Sequence, residues 1–154
     1  MVASSFLLDV NILLALWVPT QQDHEKVTAW FHAEGSRNWA TCPITQAGFV
    51  RLASNPALTP DALSVTEALN VLAANLKHPG HVFWADDLDL PHALSLCGRR
   101  LQGYREITDA YLVALAMHRK GRLVTLDRAM TSLFPVSERG SNRVVDLSAR
   151  VFRK

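Results

Sequence analysis

Short apolar runs alternate with longer segments of helical periodicity along this 154-residue chain, and the alternation leaves few folds open. Parallel strands cannot be joined by a tight hairpin; they need a crossover of a dozen or more residues, most often a helix. The runs at 5–8, 38–42, 81–84 and 122–126, with a shorter one at Val144 and Val145, therefore read as strands of one mainly parallel sheet. Helices are expected between them at 11–17, at about 23–34, from Pro43 to the stop at Asn55-Pro56, and at 60–76, 91–101 and 107–119. Ala62, Val65, Leu69, Leu72 and Leu76, spaced alternately by three and four, give the strongest helical signal. The fold class that follows is α/β, in three layers, with a central sheet of about four to five strands flanked by helices on both faces and one domain spanning residues 1–154.

Composition excludes several classes of protein. With 49% of residues apolar and 19% charged, the chain has enough apolar surface to fold and does not have the usage of a disordered one. Cys42 and Cys97 are too few for a disulfide framework and lack metal-ligand spacing, which points to a reducing, cytosolic compartment. The N-terminal stretch has no early positive charge, and Asp9 and Asn11 interrupt its apolar run, so it is not read as a signal peptide. No segment approaches the roughly 20 apolar residues of a membrane span. A net charge of +2 permits nucleic-acid binding without announcing it.

Chemistry gathers at three aspartates. Asp9 follows Phe6-Leu7-Leu8, Asp127 follows Leu123-Val124-Thr125-Leu126, and Asp109 opens a helix. Ligands of open α/β sheets bind at the carboxyl ends of the strands, so Asp9 and Asp127 can face one crevice. Positions 109, 112, 113 and 116 share a helical face, and the apolar Leu112, Val113 and Ala116 direct that face, and Asp109 with it, inward. An inward carboxylate must be met by backbone amides, a basic partner or a cation such as Mg²⁺. Singly, each aspartate reads equally well as a helix N-cap. Jointly, three at one sheet edge repel one another unless a cation joins them, which favours metal binding.

Three segments carry a more specific resemblance: Phe6-Leu7-Leu8-Asp9-Val10-Asn11, Ile107-Thr108-Asp109-Ala110-Tyr111-Leu112-Val113-Ala114-Leu115-Ala116, and Leu123-Val124-Thr125-Leu126-Asp127. In order and spacing they resemble the acidic motifs of PIN domains, over nearly the whole chain, and most closely those of VapC-type toxins of type II toxin–antitoxin pairs. The resemblance implies a PIN-like fold and a Mg²⁺-dependent ribonuclease, with Mn²⁺ as a substitute, held by Asp9, Asp109 and Asp127. It further implies hydrolysis leaving a 5′-phosphate, a structured RNA such as transfer RNA as substrate, a cognate VapB-type antitoxin whose tail covers the acidic cleft, and a homodimer.

PIN domains usually carry a glutamate on the helix after the second strand; the matching segment here, Pro43-Ile44-Thr45-Gln46-Ala47-Gly48-Phe49-Val50-Arg51, has Gln46. Gln46 shares a face with Phe49, Val50 and Ala53 and can accept a hydrogen bond or hold a metal-bound water, but it brings no charge. Three acidic positions suit one Mg²⁺ more readily than a close pair. Asn11 is read as orienting Asp9 or as an ordinary first-turn polar residue, Thr125 as orienting Asp127 or continuing its strand, and Thr108 as an N-cap. Asp86, Asp87 and Asp89 read as a solvated loop, the six histidines as incidental, and Trp30, Trp39 and Trp84 as core. Arg99, Arg100 and Arg105, with Arg119, Lys120 and Arg122, flank the Asp109 helix, where they can track RNA phosphates or serve as ordinary helix-end charge. Two rival functions stand beside the nuclease. A non-catalytic RNA- or protein-binding PIN domain is made credible by Gln46, and a phosphatase of the haloacid dehalogenase type is weakened by Asn11, which stands where that family has a second aspartate.

Overall fold

The computed structural model describes residues 4–98, 101–135, 137 and 143–149. Its strands are β1 (Phe6–Leu8), β2 (Trp39–Thr41), β3 (His81–Phe83), β4 (Arg122–Thr125) and β5 (Val144–Asp146). All pair in parallel, in the order β3-β2-β1-β4-β5. The chain begins in the middle of the sheet, builds outward through β2 and β3, then crosses back to place β4 on the other side of β1. That reversal makes the carboxyl edge between β1 and β4 the topological switch point, where the loops diverge and leave a crevice.

Alternation along the strands divides the interior in two. Leu7, Ala40 and Leu123 point to one face, covered by α5 (Leu90–Cys97), α6 (Ile107–His118) and α7 (Met130–Leu133), with Phe134 and Trp84 filling the layer. Leu8, Trp39 and Val124 point to the other, covered by α1 (Val10–Trp17), α2 (His24–Trp30), α3 (Pro43–Ala53) and α4 (Val65–Leu76). Trp30, Trp39 and Trp84 are all buried, as expected of core residues. α6 is buried over seven successive residues, Ala110 to Ala116, because it lies between the sheet and its neighbours α5 and α7. Its small Ala110, Ala114 and Ala116 let that wrapping come close.

Several expected boundaries move, each for a local reason. The helix expected over 60–76 starts at Val65, where Ser64 and Glu67 form a reciprocal capping box: Glu67 N donates to Ser64 Oγ at 3.1 Å and Ser64 N to Glu67 Oε2 at 2.7 Å. Its apolar stripe is only partly inward. Ala68 and Leu72 are buried in the core layer, whereas Val65 and Leu69 are 57% and 48% exposed, because their side of α4 turns away from that layer. The second helix widens into a π-helical stretch at Phe31–Gly35, with Gly35 pressed under the Trp30 ring. The helix expected over 91–101 runs from Leu90 to Cys97, and Gly98, at φ 55°, turns the chain out of it.

Gly80, just before β3, makes the tightest approach of the described glycines. A Cβ there would lie 1.9 Å from the Ser36 carbonyl oxygen, a backbone atom that cannot step aside. Gly80→Ala is expected to cost about 2 kcal/mol or more of stability, whereas Gly103→Ala, with nothing within 4 Å of the added carbon, is expected to be neutral. Thermal unfolding of the two variants checks this, and equal melting points would contradict it.

Candidate active site

β1 ends by running straight into α1, so Asp9 leaves the sheet at its carboxyl edge as the N-cap of a helix. Its Oδ1 accepts the Val10 N–H at 2.7 Å, and its backbone N–H donates to the Val124 carbonyl at 3.0 Å. The register pairs Leu8 with Val124, so the next residues, Asp9 and Thr125, emerge together on the face that α6 covers. Thr125 Oγ1 donates to Asp9 Oδ2 at 2.8 Å. The same hydroxyl oxygen accepts from the Asp127 backbone N–H at 3.0 Å and from Asn11 Nδ2 at 3.3 Å, while Asn11 Oδ1 accepts the Leu126 N–H at 3.2 Å. A threonine hydroxyl has one proton and two lone pairs, and here all three are used. Capping and site geometry therefore coexist in Asp9, one oxygen serving each.

Asp127 is exposed, and its Oδ1 accepts the Ala129 N–H at 2.9 Å in an Asx turn. Asp109 differs from both. It stands in the first turn of α6 as a helical residue, not a cap; the N-cap is Glu106, and Thr108, expected in that role, lies inside the helix. Capping is thereby excluded for Asp109, and the reading that remains is an inward carboxylate awaiting a partner. Burial, reinforced by the charges of Asp9, Asp127 and Glu106, pushes its carboxyl up to about 6. Asp9 is also raised, by burial above all and by Asp127, against the lowering effect of the Thr125 and Val10 hydrogen bonds. The three aspartates thus feel one another's charge at one edge of the sheet.

Among the described residues, no three His, Cys, Asp or Glu side chains converge closely enough to cage an ion by themselves. What the edge offers is an open, all-oxygen set: the carboxylates of Asp9, Asp109 and Asp127, with the Asn11 amide oxygen beside them accepting the Leu126 N–H. Such a set fits a hard divalent cation that binds through one or two carboxylates and keeps several of its waters. Gln46, on α3, donates from Nε2 to Thr41 Oγ1 at 3.0 Å at the end of β2 and lines the space between α3 and α4.

The basic residues are placed less uniformly. Arg105 lies in the 3₁₀ turn Tyr104–Glu106 that leads into α6, its guanidinium 5.7 Å from the centre of the exposed Tyr104 ring. Arg119 caps the opposite end of α6, ten residues from Asp109 and therefore about 15 Å along the axis, and Lys120 follows it outside the helix. Arg119 is engaged there with Asp87 at 3.2 Å and with the Ala85 carbonyl at 3.0 Å. Of the two readings given to this cluster, phosphate contact or ordinary helix-end charge, Arg119 as placed matches the second. Arg99 and Arg100 lie outside the described residues. Asp87 pairs with Arg119 and Asp89 caps α5, so that loop holds structural partners more than a free acidic cluster.

Two features escaped the sequence reading. His78 and His81 are not incidental: Trp39 Nε1 donates to His78 Nδ1 at 3.3 Å, and His81 Nε2 lies 2.8 Å from Thr41 Oγ1. The exposed side of α4 also forms, with Pro43, Gln46, Ala47 and Val50 of α3, an apolar groove of about 850 Å³. The exposure of Val65 and Leu69 shows only once α4 is seen with that side turned outward from the core layer.

Because the folded-state carboxyl of Asp109 lies above its ordinary 3.8, ionisation opposes folding. The penalty is full above about pH 6 and vanishes below the unfolded value of 3.8. Asp109→Asn in chelator is therefore expected to raise stability at pH 7 by about 1 kcal/mol, after allowing for solvent screening of a half-buried group. The gain should shrink toward pH 4. Denaturant melts of parent and variant at both pH values measure it; a loss of stability at pH 7 would contradict the assignment.

The chain matches the family model described as "PIN domain" over residues 6–133. It is 43% identical over 128 residues to "Ribonuclease VapC38" of Mycobacterium tuberculosis, covering 82% of this chain and 88% of that protein. "Ribonuclease VapC44" of the same species is 41% identical over 124 residues, covering 80% of this chain and 87% of the relative. Among solved structures, FitAcB from Neisseria gonorrhoeae superposes with a TM-score of 0.61 at 18% identity, covering 94% of this chain and 99% of that one. PAE2754 from Pyrobaculum aerophilum gives 0.59 at 20% identity, over 94% and 85% of the two chains. With sequence relatives this similar over this much of its length and an acidic edge at the switch point of a parallel sheet, the chain belongs to the PIN-domain family and is a ribonuclease of the VapC type.

Proposed function

We propose that this ribonuclease is the toxin of a toxin–antitoxin pair, that it depends on Mg²⁺, with Mn²⁺ as a substitute, and that it hydrolyses phosphodiester bonds in structured RNA, transfer RNA being the expected class. The observation that carries the metal assignment is Asp109: a half-buried carboxylate, raised to about 6 by burial and by Asp9 and Asp127, in a helix it does not cap. A bound cation removes that penalty, and Asp9, Asp109 and Asp127 are the residues that would hold it, partly through water. When bound, a divalent ion neutralises charge developing on the phosphodiester and acidifies the attacking water.

The chain's own residues supply the positioning. Thr125 holds Asp9 Oδ2 in place and, through the Asp127 backbone N–H, ties the β4 loop to the same point. Asn11 closes the tie by binding Thr125 and the Leu126 N–H together, which keeps α1 and the β4 loop in fixed relation. Arg105, at the rim, is suited to an RNA phosphate. With Asp109 ionised at neutral pH only at a cost, the empty site repels further negative charge, and cation binding is what makes the edge receptive to RNA.

An antitoxin partner is supported by the VapC-named relatives and by the apolar groove between α3 and α4, a surface that water covers poorly. A homodimer and a cytoplasmic location complete the reading; no helix among the described residues is long and apolar enough to cross a membrane.

The experiment is cleavage of a total transfer-RNA pool by antitoxin-free protein in Mg²⁺, Mn²⁺ or EDTA. Discrete fragments are expected with either metal and none with EDTA. Asp109→Asn and Asp9→Asn should each lower cleavage by about 100-fold or more while the fold is retained. Cleavage that persists in EDTA, or in both variants, would overturn the metal assignment, and cleavage of other RNAs alone would move the substrate outside that pool.

A further inference from the structure

Three carboxylates around one divalent ion leave a net negative charge, and an RNA strand has to lie beside it. A cation placed along the same edge offsets that repulsion. Position in the sheet sorts the basic residues. Arg122 opens β4 and Arg143 precedes β5, so both stand at the amino edge, away from the acids. Lys26 reaches the end of β5 but is 2.9 Å from Asp23 and only 21% exposed. Arg128 follows Asp127 directly, is exposed, and makes no ion pair with a carboxylate among the described residues. The charges that act on Asp9 and Asp109 are those of other carboxylates, so the Arg128 charge is not consumed in neutralising them.

Backbone and side chain of Arg128 are both held. It is the middle residue of the turn in which the Ala129 N–H donates to Asp127 Oδ1, and its own carbonyl accepts the Thr131 N–H at 3.3 Å. Its Nε donates to Ser148 Oγ at 3.2 Å. Ser148 is fixed in turn: its N–H donates to Asp146 Oδ1 at 2.8 Å, and its carbonyl accepts from Lys26 Nζ at 3.2 Å. The preceding Leu147 N–H donates to the Thr125 carbonyl at 2.9 Å. Because Thr125 pairs with Asp146, Ser148 leaves β5 at the level where Asp127 leaves β4. One exposed hydrogen bond to a hydroxyl adds little stability. Its effect is to orient the guanidinium. With Nε spent on Ser148, the terminal nitrogens remain as a two-pronged donor, the geometry that takes a phosphate.

We propose that Arg128, braced by Ser148, is an RNA-binding residue that takes the phosphate next to the one being cut, so that the bound strand runs from the acids across β4 toward β5. The spacing favours the neighbouring phosphate over the scissile one. Adjacent strands lie about 5 Å apart, and Arg128 Nε is tied to a residue that follows β5, one strand beyond the β1–β4 crevice. A guanidinium there meets the RNA backbone without entering the shell of the cation. This role rests on the acidic edge as the place of cleavage, as proposed above, and not on which RNA is cut.

Steady-state cleavage of total cellular RNA by antitoxin-free protein tests it, with parent, Arg128→Gln, Arg128→Lys, Ser148→Ala and Arg105→Gln compared over a range of salt concentrations. Arg128→Gln should raise the apparent KM by about ten-fold and leave kcat within about two-fold, because a flanking phosphate is held equally in the ground and transition states. The fall of log(1/KM) with log salt should lessen by about 0.7 to 0.9, the share of one phosphate contact. Arg128→Lys keeps the charge and should keep the parent salt dependence. Ser148→Ala removes the brace alone and should raise KM by about two- to three-fold, again with the parent salt dependence. Calorimetric Mn²⁺ affinity and the melting temperature should both stay at the parent values in Arg128→Gln. Parent-like KM and salt dependence in that variant would overturn the assignment, as would a loss confined to kcat or one matched by a fall in melting temperature. An effect of Arg105→Gln alone would run the strand toward α6 and overturn it too. Failure of the acidic-edge reading shows separately, since Asp9→Asn and Asp109→Asn would then cleave like the parent whatever Arg128 does.

Discussion

The Thr125 hydroxyl is the point on which the acidic edge depends. It sits at the end of the central β1–β4 pair, gives its only proton to Asp9 and receives both the Asp127 backbone and the Asn11 amide. Without that tie, two carboxylate-bearing segments that repel each other would be free to separate. With it, the repulsion is contained by fully satisfied hydrogen bonds at a site that is buried on the Thr125 side and open on the Asp127 side. Asp109 is then brought over the same face by a helix that has no other place to go, since seven consecutive buried residues lock α6 against the sheet. The electrostatic cost lands on Asp109, which has neither the hydrogen bonds of Asp9 nor the exposure of Asp127.

That division of labour explains how a stable fold can carry an unstable site. The two apolar layers on either side of the sheet supply the stability, and their packing is indifferent to what happens at the carboxyl ends of the strands. Strained electrostatics are confined to three short connections: β1 into α1, the 3₁₀ turn into α6, and β4 into the Asp127 turn. Each is anchored in the sheet or in α6, so the carboxylates are positioned by the rigid scaffold although they sit at its edge.

Much of this was legible from the residues. Apolar runs ending in aspartate located β1 and β4, and strand–helix alternation required parallel pairing, which the register confirms strand by strand. The inward aim of Asp109 followed from its spacing to Leu112, Val113 and Ala116, all buried. Less legible were the long-range partners. Arg119 and Lys120 were expected at an end of the Asp109 helix, but only the fold shows Arg119 paired there with Asp87, about 15 Å along the axis from Asp109. Periodicity marked Val65 and Leu69 as apolar-face residues but could not say that only Ala68 and Leu72 of that face reach the core layer and that the other two stay exposed.

What the sequence by itself determined is the class of fold, the three aspartates and their order along the sheet edge, because these rest on local patterns: period two in strands, period near 3.6 in helices, and polar residues where an apolar run stops. What only the tertiary structure decided is how each side chain is met. That Asp9 bonds across the sheet as well as capping, and what His78 and His81 meet, depend on pairings 39 to 116 residues apart in sequence. Hydrogen bonds of that kind are made between strands that neighbour each other only after the sheet has formed, and no local periodicity encodes them.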